Sequence, residues 1–464
     1  MRINSLRYTL VLTACLAVST NFVFAQQINK SKREAPNIAI NISSNRDSVK
    51  TSYFNLGLIS NLYNQRGIGL NVISSAVKNN MTGIQASGFV NITRNRANGV
   101  MLSGITNIVG NKANGVMVTG LINVTGKEAN GMQASLFANI VGNRSNGLAI
   151  GGLMNVSGKE MDGLHIGGLA NVSGISQKGI ALAGLMNATA NRLNGLQVAS
   201  ILNIAGKENK GAQLSLISNV GVEVRGVQAT VLTNIAADTL RGFQLAGAVN
   251  IAVNTRGAFQ LAGITNISQG RTKGVQLAPG NYAGGIDGVQ IGILNMSTGK
   301  SNGFQVGVVN YSKDSTTHKI GLVNVNPKTR IQLMAFTGNT SKMNIAARFK
   351  NRKTYSIIGV GTQYLGLNDK FSGAVFYKTG LYFPIAKYLE ISGDLGFYHI
   401  ESFSNENEKT PKRMYSLQGE VNLEYRLQKK ISIFASGGYS MTRYYDENKF
   451  YEKKPIFSLG VVLF

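Results

Sequence analysis

Tryptophan is missing from this 464-residue chain, cysteine occurs once, proline six times and histidine three times. A lone cysteine, Cys15, excludes an internal disulfide framework and a thiolate metal cluster. The histidines (His165, His318 and His399) have no spacing that suggests a shared metal. Acidic residues number 21 against 47 basic ones, for a net charge of +26, yet charged residues make up only 15% of the chain. No apolar run approaches the roughly 18–20 residues of a spanning helix, so any insertion into a membrane must come from strands. A phosphate-cradling GxxxxGK[ST] loop is absent, and the turns lack the aspartate that calcium-binding nonapeptide solenoids need. The expectation is therefore a non-enzymatic protein with no catalytic, cofactor-binding or metal-ligating residues.

Glycine is abundant, at 55 residues, and apolar residues lie between the glycines. With 43% hydrophobic residues and a mean hydropathy of +0.01, the chain is neither a flexible linker nor a disordered tract. An asparagine returns every sixteen residues at Asn91, Asn107, Asn123, Asn139, Asn155, Asn171, Asn187, Asn203 and Asn219. After one shortened unit it continues at Asn234, Asn250 and Asn266. A glycine keeps the same beat eight places earlier, from Gly83 to Gly211. Self-similarity at a short fixed period marks a repeat architecture, whose units are stable only when stacked.

A unit such as GVMLSGITNIVGNKAN, residues 99–114, reads as two short strands and a polar turn, one coil of a parallel β-solenoid. Alternation puts Val100 and Leu102 on one side, expected to be the core, and Met101 and Ser103 on the other. The slot of Met101 is often glutamine (Gln85, Gln133, Gln197, Gln213, Gln228, Gln244, Gln260, Gln276, Gln290, Gln305) and is read as exposed. His165 occupies the same slot and is read the same way. The asparagines are expected to form a structural ladder that bonds turn backbone and neighbouring coils. About eighteen coils spaced by about 4.8 Å would make a rod on the order of 85 Å long. Basic residues Arg96, Lys112, Lys127, Arg144, Lys159, Arg192 and Lys207 share the closing turn, so stacking would line them along one edge as a salt-sensitive anion-binding stripe. A solvated edge, partly neutralised by Glu128, Glu160 and Glu208, is the plainer alternative.

Beyond about residue 330 the period vanishes, aromatics become frequent and strands alternate cleanly. In Tyr415–Leu427, Tyr415, Leu417, Val421, Leu423 and Tyr425 oppose Ser416, Gln418, Glu420, Asn422, Glu424 and Arg426. An apolar outside around a charged inside is the signature of a transmembrane β-barrel. Eight strands are expected, near 331–337, 342–349, 354–364, 371–383, 387–400, 413–427, 430–445 and 455–464, with tight turns alternating with long loops. Eight strands enclose only enough room for side chains, and Arg348, Lys378, Glu390, Asp394, Glu420, Glu424 and Arg426 are expected to pair there.

The fold expected is thus all-β: a stacked-repeat β-solenoid followed by a small antiparallel transmembrane β-barrel of about eight strands. The divisions are a signal peptide at 1–25, an extension at 26–52, the repeats at 53–326 and the barrel at 331–464. Arg2 and Arg7, the apolar run Leu10–Val18 and the small residue Ala25 describe the leader, with Leu12-Thr13-Ala14-Cys15 as a rival lipoprotein site. Export argues against nucleic acid as a partner. Outer-membrane lipid and an anionic envelope polymer, lipopolysaccharide or another protein remain. An alternative architecture joins repeats and C-terminal strands in one large porin-like barrel.

The repeat core, as in NGVMVTGLINVTGKEA (114–129) and DGLHIGGLANVSGISQ (162–177), resembles that of bacterial surface-repeat proteins, exported outer-membrane proteins of Gram-negative bacteria. The resemblance rests on a G-x-Q-x-x-G-L-x-N core over roughly 270 residues and implies exposure at the cell surface. An even strand count instead places the rod on the periplasmic side, so the side stays open.

Overall fold

A computed structural model describes residues 37–41, 51–362, 372–403, 413–445 and 450–463. The expected leader with Cys15 and most of the 26–52 extension lie outside these residues. The chain divides into two compact units, 1–115 and 116–464.

Both units contain the same parallel coil. In the first, Asn80–Ser87 pairs in parallel with Arg96–Ser103, and Val90–Thr93 with Thr106–Val109, each residue facing the one sixteen places on. In the second, Glu128–Ser135, Arg144–Gly151, Glu160–Gly167 and Ser176–Ala183 stack in that register. The short strands Ala138–Val141, Met154–Ser157 and Ala170–Ser173 do the same. This is a β-solenoid, in which every coil takes its backbone partners from the coils beside it.

Each coil has three sides, one more than expected, because the eight-residue strand bends at its glycine. Gly163 has φ of +100°, and a Cβ there would lie 2.3 Å from the carbonyl oxygen of Gly147 on the coil before. Only glycine fits such a bend. The bend interrupts the alternation: Met161 and Asp162 are both buried, Gly163 between Met161 and His165 is exposed, and His165 is buried again. One side, Glu160–Asp162, is charged. The other two, Leu164–Gly167 and Ala170–Ser173, meet at the corner Gly168-Leu169.

Their orientation reverses the expectation. The glutamine slot faces inward: Gln197, Gln213, Gln260 and Gln305 are fully buried, and so is His165. The Val/Leu positions point out, with Leu102, Val118, Ile150, Ile180 and Leu214 exposed. Alternation fixes which residues share a face, but not which face is inside. Close stacking of identical amides satisfies the glutamines and asparagines, which share the interior with apolar residues such as Met161, Leu193 and Leu240, while other aliphatic rows are left outside.

The chain then forms a closed antiparallel barrel of eight strands, Arg330–Gly338, Asn344–Lys350, Thr354–Thr362, Ser372–Ala386, Leu389–Ser402, Arg413–Gln428, Ile431–Tyr444 and Phe450–Leu463. The first strand pairs with the last, Leu333 opposite Leu463, which closes the sheet. Closure on eight strands overturns the single large barrel, since the repeats pair only with one another in parallel. Leu395, Val421, Phe457 and Leu459 project from the outer wall. Phe336, Phe376, Tyr398 and Phe434 pack inside, with Phe336 edge-on to both Phe376 and Phe434.

Candidate functional site

The solenoid interior of the second unit carries two ladders of amides. Asn123 donates to the side-chain oxygen of Asn139 at 2.9 Å, Asn139 to Asn155 at 2.8 Å, Asn155 to Asn171 at 2.9 Å and Asn171 to Asn187 at 2.9 Å. Asn187 continues to Asn203 at 3.0 Å and Asn203 to Asn219 at 2.9 Å. The same chain runs on to Asn324, accepted there from Asn310 at 2.9 Å. Each asparagine also donates to backbone; Asn171, for example, reaches the carbonyl of Leu182 at 2.7 Å. In the first unit Asn91 donates to Asn107 at 3.0 Å. The ladder therefore closes corners and joins coils with the same NH2 group.

Beside it, Gln213 donates to Gln197 at 3.0 Å, Gln228 to Gln213 at 2.9 Å and Gln244 to Gln228 at 2.8 Å. Gln260, Gln276, Gln290 and Gln305 extend the series at 2.8–2.9 Å. Lys319, paired in register with Gln305, takes the slot on the last coil. Burial holds its amine below the usual lysine range, with Asp314 opposing. His165 breaks the pattern differently, with Nε2 3.1 Å from the Ser145 hydroxyl and Nδ1 unpartnered. Burial lowers its pKa to about 4, against a weaker pull from Asp162.

The basic residues occupy the charged side and the corner beside it, in two lanes. Arg96 and Lys112 stand there in the first unit, and Arg144 and Arg192 begin the charged side of their coils in the second. Lys127, Lys159 and Lys207 lie one place earlier, at the exposed corner. Acids share the lane of the arginines: Glu128 and Glu160 face Arg144 from either side, and Glu208 faces Arg192. Arg144 is bound to Asp162 and lies 3.7 Å from Glu160, so it is largely committed. The corner lane is the more basic one. The sequence pattern did not flag Lys178, Lys210, Arg225, Arg241 and Lys273, which are exposed on the same side of other coils. Their register against the glycine would have identified them.

The barrel interior is ionic where the solenoid is amidic. Arg348 bonds Glu424 at 2.7 Å, and Lys378 bonds Glu420 at 2.7 Å with Asp394 at 4.0 Å. Glu390 holds Lys350, a residue the pattern did not flag, and lies 3.6 Å from Arg426. Tyr355 and Asn422 each donate to Asp394 at 2.7 Å. A cavity of about 20 Å³ remains among Arg348, Tyr355, Lys378 and Asp394, room for roughly one water. The carboxylates are consumed in pairing, and the barrel is filled rather than open.

The last solenoid coil is seated on the barrel's outer wall. Tyr377, outward-facing and midway along its strand, donates its hydroxyl to the carbonyl of Gly321 at 3.0 Å. Ser356, also outward, is only 4% exposed. Asn351, in a tight turn, donates to Asn324 O at 2.9 Å and accepts from Asn326 at 2.9 Å.

No family model matches the chain, and no curated protein does. Among solved structures it is similar to the N-terminal β-barrel domain of Pseudomonas aeruginosa OprF (12% identity, 29% of this chain, 95% of that one, TM-score 0.22). Neisserial surface protein A matches at 10% identity over 29% of this chain and 93% of its own, with a TM-score of 0.20. The attachment invasion locus protein Ail of Yersinia pestis matches at 17% identity, 29% and 92%, with a TM-score of 0.18.

Proposed function

We propose that this chain is a non-enzymatic protein of the outer membrane of a Gram-negative bacterium, in which the barrel is the anchor and the solenoid the working surface. One observation carries the reading: a closed eight-stranded barrel turns Leu395, Val421 and Leu459 outward around a core of paired ions. Apolar side chains on an outer wall are stable against lipid, and closure leaves no strand edge unpaired there. A filled interior favours anchoring over conduction.

The solenoid contributes a repeated charged side whose basic corner lane suits phosphate- or sulfate-bearing polymers of the envelope, such as lipopolysaccharide. Binding of the detergent-solubilised full chain to purified lipopolysaccharide tests this. We expect it to fall steeply toward about 1 M salt, where screening reaches about 3 Å. It should also fall several-fold when Lys127, Lys159 and Lys207 are changed together to glutamine. Equal binding at low and high salt would remove the basic lane from the proposal.

A further inference from the structure

The outside of the solenoid is apolar along two of its three sides. In the second unit the corner position is Leu153, Leu169, Leu185 and Ile201 on successive coils, all exposed. Ile180 and Leu214 stand out from one flanking side, Met154 from the other. Aliphatic rows of this extent exceed the isolated apolar residues of an ordinary water-facing surface. The third side carries the charges. In cross-section the coil is a wedge with an aliphatic edge opposite its charged side, where Lys127, Lys159 and Lys207 add positive charge on alternate or more distant coils.

We propose that the solenoid of the second unit lies in the lipid leaflet beside the barrel, at the end with the tight turns. Its aliphatic corner and two flanking sides are buried among acyl chains, and its basic side sits at the phosphates. The inference rests on the reading of the barrel as a membrane anchor.

Three observations carry it. The first is continuity, because the strand His318–Val325 of the last coil is seated on the barrel's outer wall as far as Tyr377. A surface fixed to that wall enters the same medium as the wall. The second is hydrogen bonding. Successive coils exchange their backbone bonds, as Leu169 N does with Leu153 O at 2.7 Å and Leu185 N with Leu169 O at 2.9 Å. Bonded from coil to coil in this way, the sides keep their backbone polar groups paired, the condition for any element in hydrocarbon. The third is charge. Lys159 and Lys207 lie across the coil from the Leu169 corner, where anionic headgroups would meet them as the wedge sinks, the arrangement of an interfacial amphipathic element.

The test uses the full chain with Cys15→Ser, reconstituted into vesicles of phosphatidylethanolamine and phosphatidylglycerol. An environment-sensitive fluorophore is attached at one of three single replacements: Leu169→Cys at the aliphatic corner, Lys159→Cys at the basic one, or Leu395→Cys on the barrel wall. Brominated acyl chains quench from the lipid side and iodide from the water. We expect bromolipid to quench the Leu169 and Leu395 labels several-fold more than iodide does, and the reverse at Lys159. Ile201→Cys, two coils on at the same corner, repeats the measurement should the Leu169 variant fail to fold.

Bromolipid quenching at Leu395 with iodide quenching at the corner would overturn the inference and leave the anchor standing. No bromolipid quenching at Leu395 would overturn the anchor, and the inference with it. A corner label shielded from both quenchers would show a protein surface there, such as a second copy, and would also overturn the inference.

Discussion

The solenoid and the barrel solve one problem with different chemistry. Each wraps polar side chains in β-structure and turns aliphatic ones out. The barrel's strands are antiparallel and unlike, so unlike residues meet across its interior and opposite charges can pair, Lys378 with Glu420 and Arg348 with Glu424. The solenoid's coils are parallel and in register, so like residues meet. Stacked lysines would repel, and stacked glutamates too. A primary amide both donates and accepts without charge, so it can bond a copy of itself from coil to coil, as the Asn and Gln ladders do. Parallel repetition therefore selects amides for the interior, and antiparallel closure permits ions.

Removing one member of a barrel ion pair should have the largest effect. Lys378→Met leaves the carboxylates of Glu420 and Asp394 buried without their cation. Loss of one partner of a buried pair costs about 3–5 kcal/mol. The urea midpoint for converting the compact to the unfolded gel band, measured in detergent, should fall accordingly. Lys378→Met combined with Glu420→Gln should recover part of the loss. An unchanged midpoint would mean that the interior is hydrated enough to dispense with pairing.

Placing a charge in the solenoid without a partner should come next, and His165 does this on its own. Its folded-state pKa is lowered to about 4 from an ordinary 6.5. The unfolded chain thus takes up the proton first as the pH falls. Stability from the neutral ring is complete above about pH 6.5 and is lost progressively toward pH 4, roughly 3 kcal/mol in all. His165→Gln puts an uncharged residue common in this slot between Ala149 and Ala181 and should remove that part of the pH dependence. Identical unfolding midpoints for the two proteins from pH 7 to pH 4.5 would show that the ring is already hydrated when folded.

The stacking was legible because its signals are local. Gly83 to Gly211 mark the bend, and Asn91 to Asn219 mark the ladder. The eight barrel strands and most of the charged residues that pair inside them could be read, though not their partners, because charge and aliphatic side chains alternate there without interruption. Lys350 escaped because it ends its strand beside a tight turn. The inward face was not legible at Gln197, Leu214 and their repeats, because alternation alone leaves the phase open and aliphatic residues ordinarily face a core. That rule holds for a protein surrounded by water, and the barrel wall of the same chain already violated it. A glutamine recurring in register is a self-pairing group, and this property is the signal that would have turned it inward.

The smallest of these effects tests the amide ladder. Asn171 accepts from Asn155 at 2.9 Å and donates to Asn187 at 2.9 Å, to Leu182 O at 2.7 Å and to His165 O at 3.3 Å. In Asn171→Ala, the Asn155 amide, the Asn187 side-chain oxygen and two backbone carbonyls lose a partner in a space lined by protein. The expected loss is about 1–3 kcal/mol, the cost of leaving neutral buried groups unsatisfied. It should be below that of Lys378→Met because no charge is stranded. Amide hydrogen exchange should locate the change in the coils of Asn155 and Asn187 and leave the barrel strands as protected as before, since each coil touches only its neighbours. Loosened protection throughout the barrel would instead mean that solenoid and barrel unfold as one cooperative body, and the contrast between their interiors would then no longer describe two separable sources of stability.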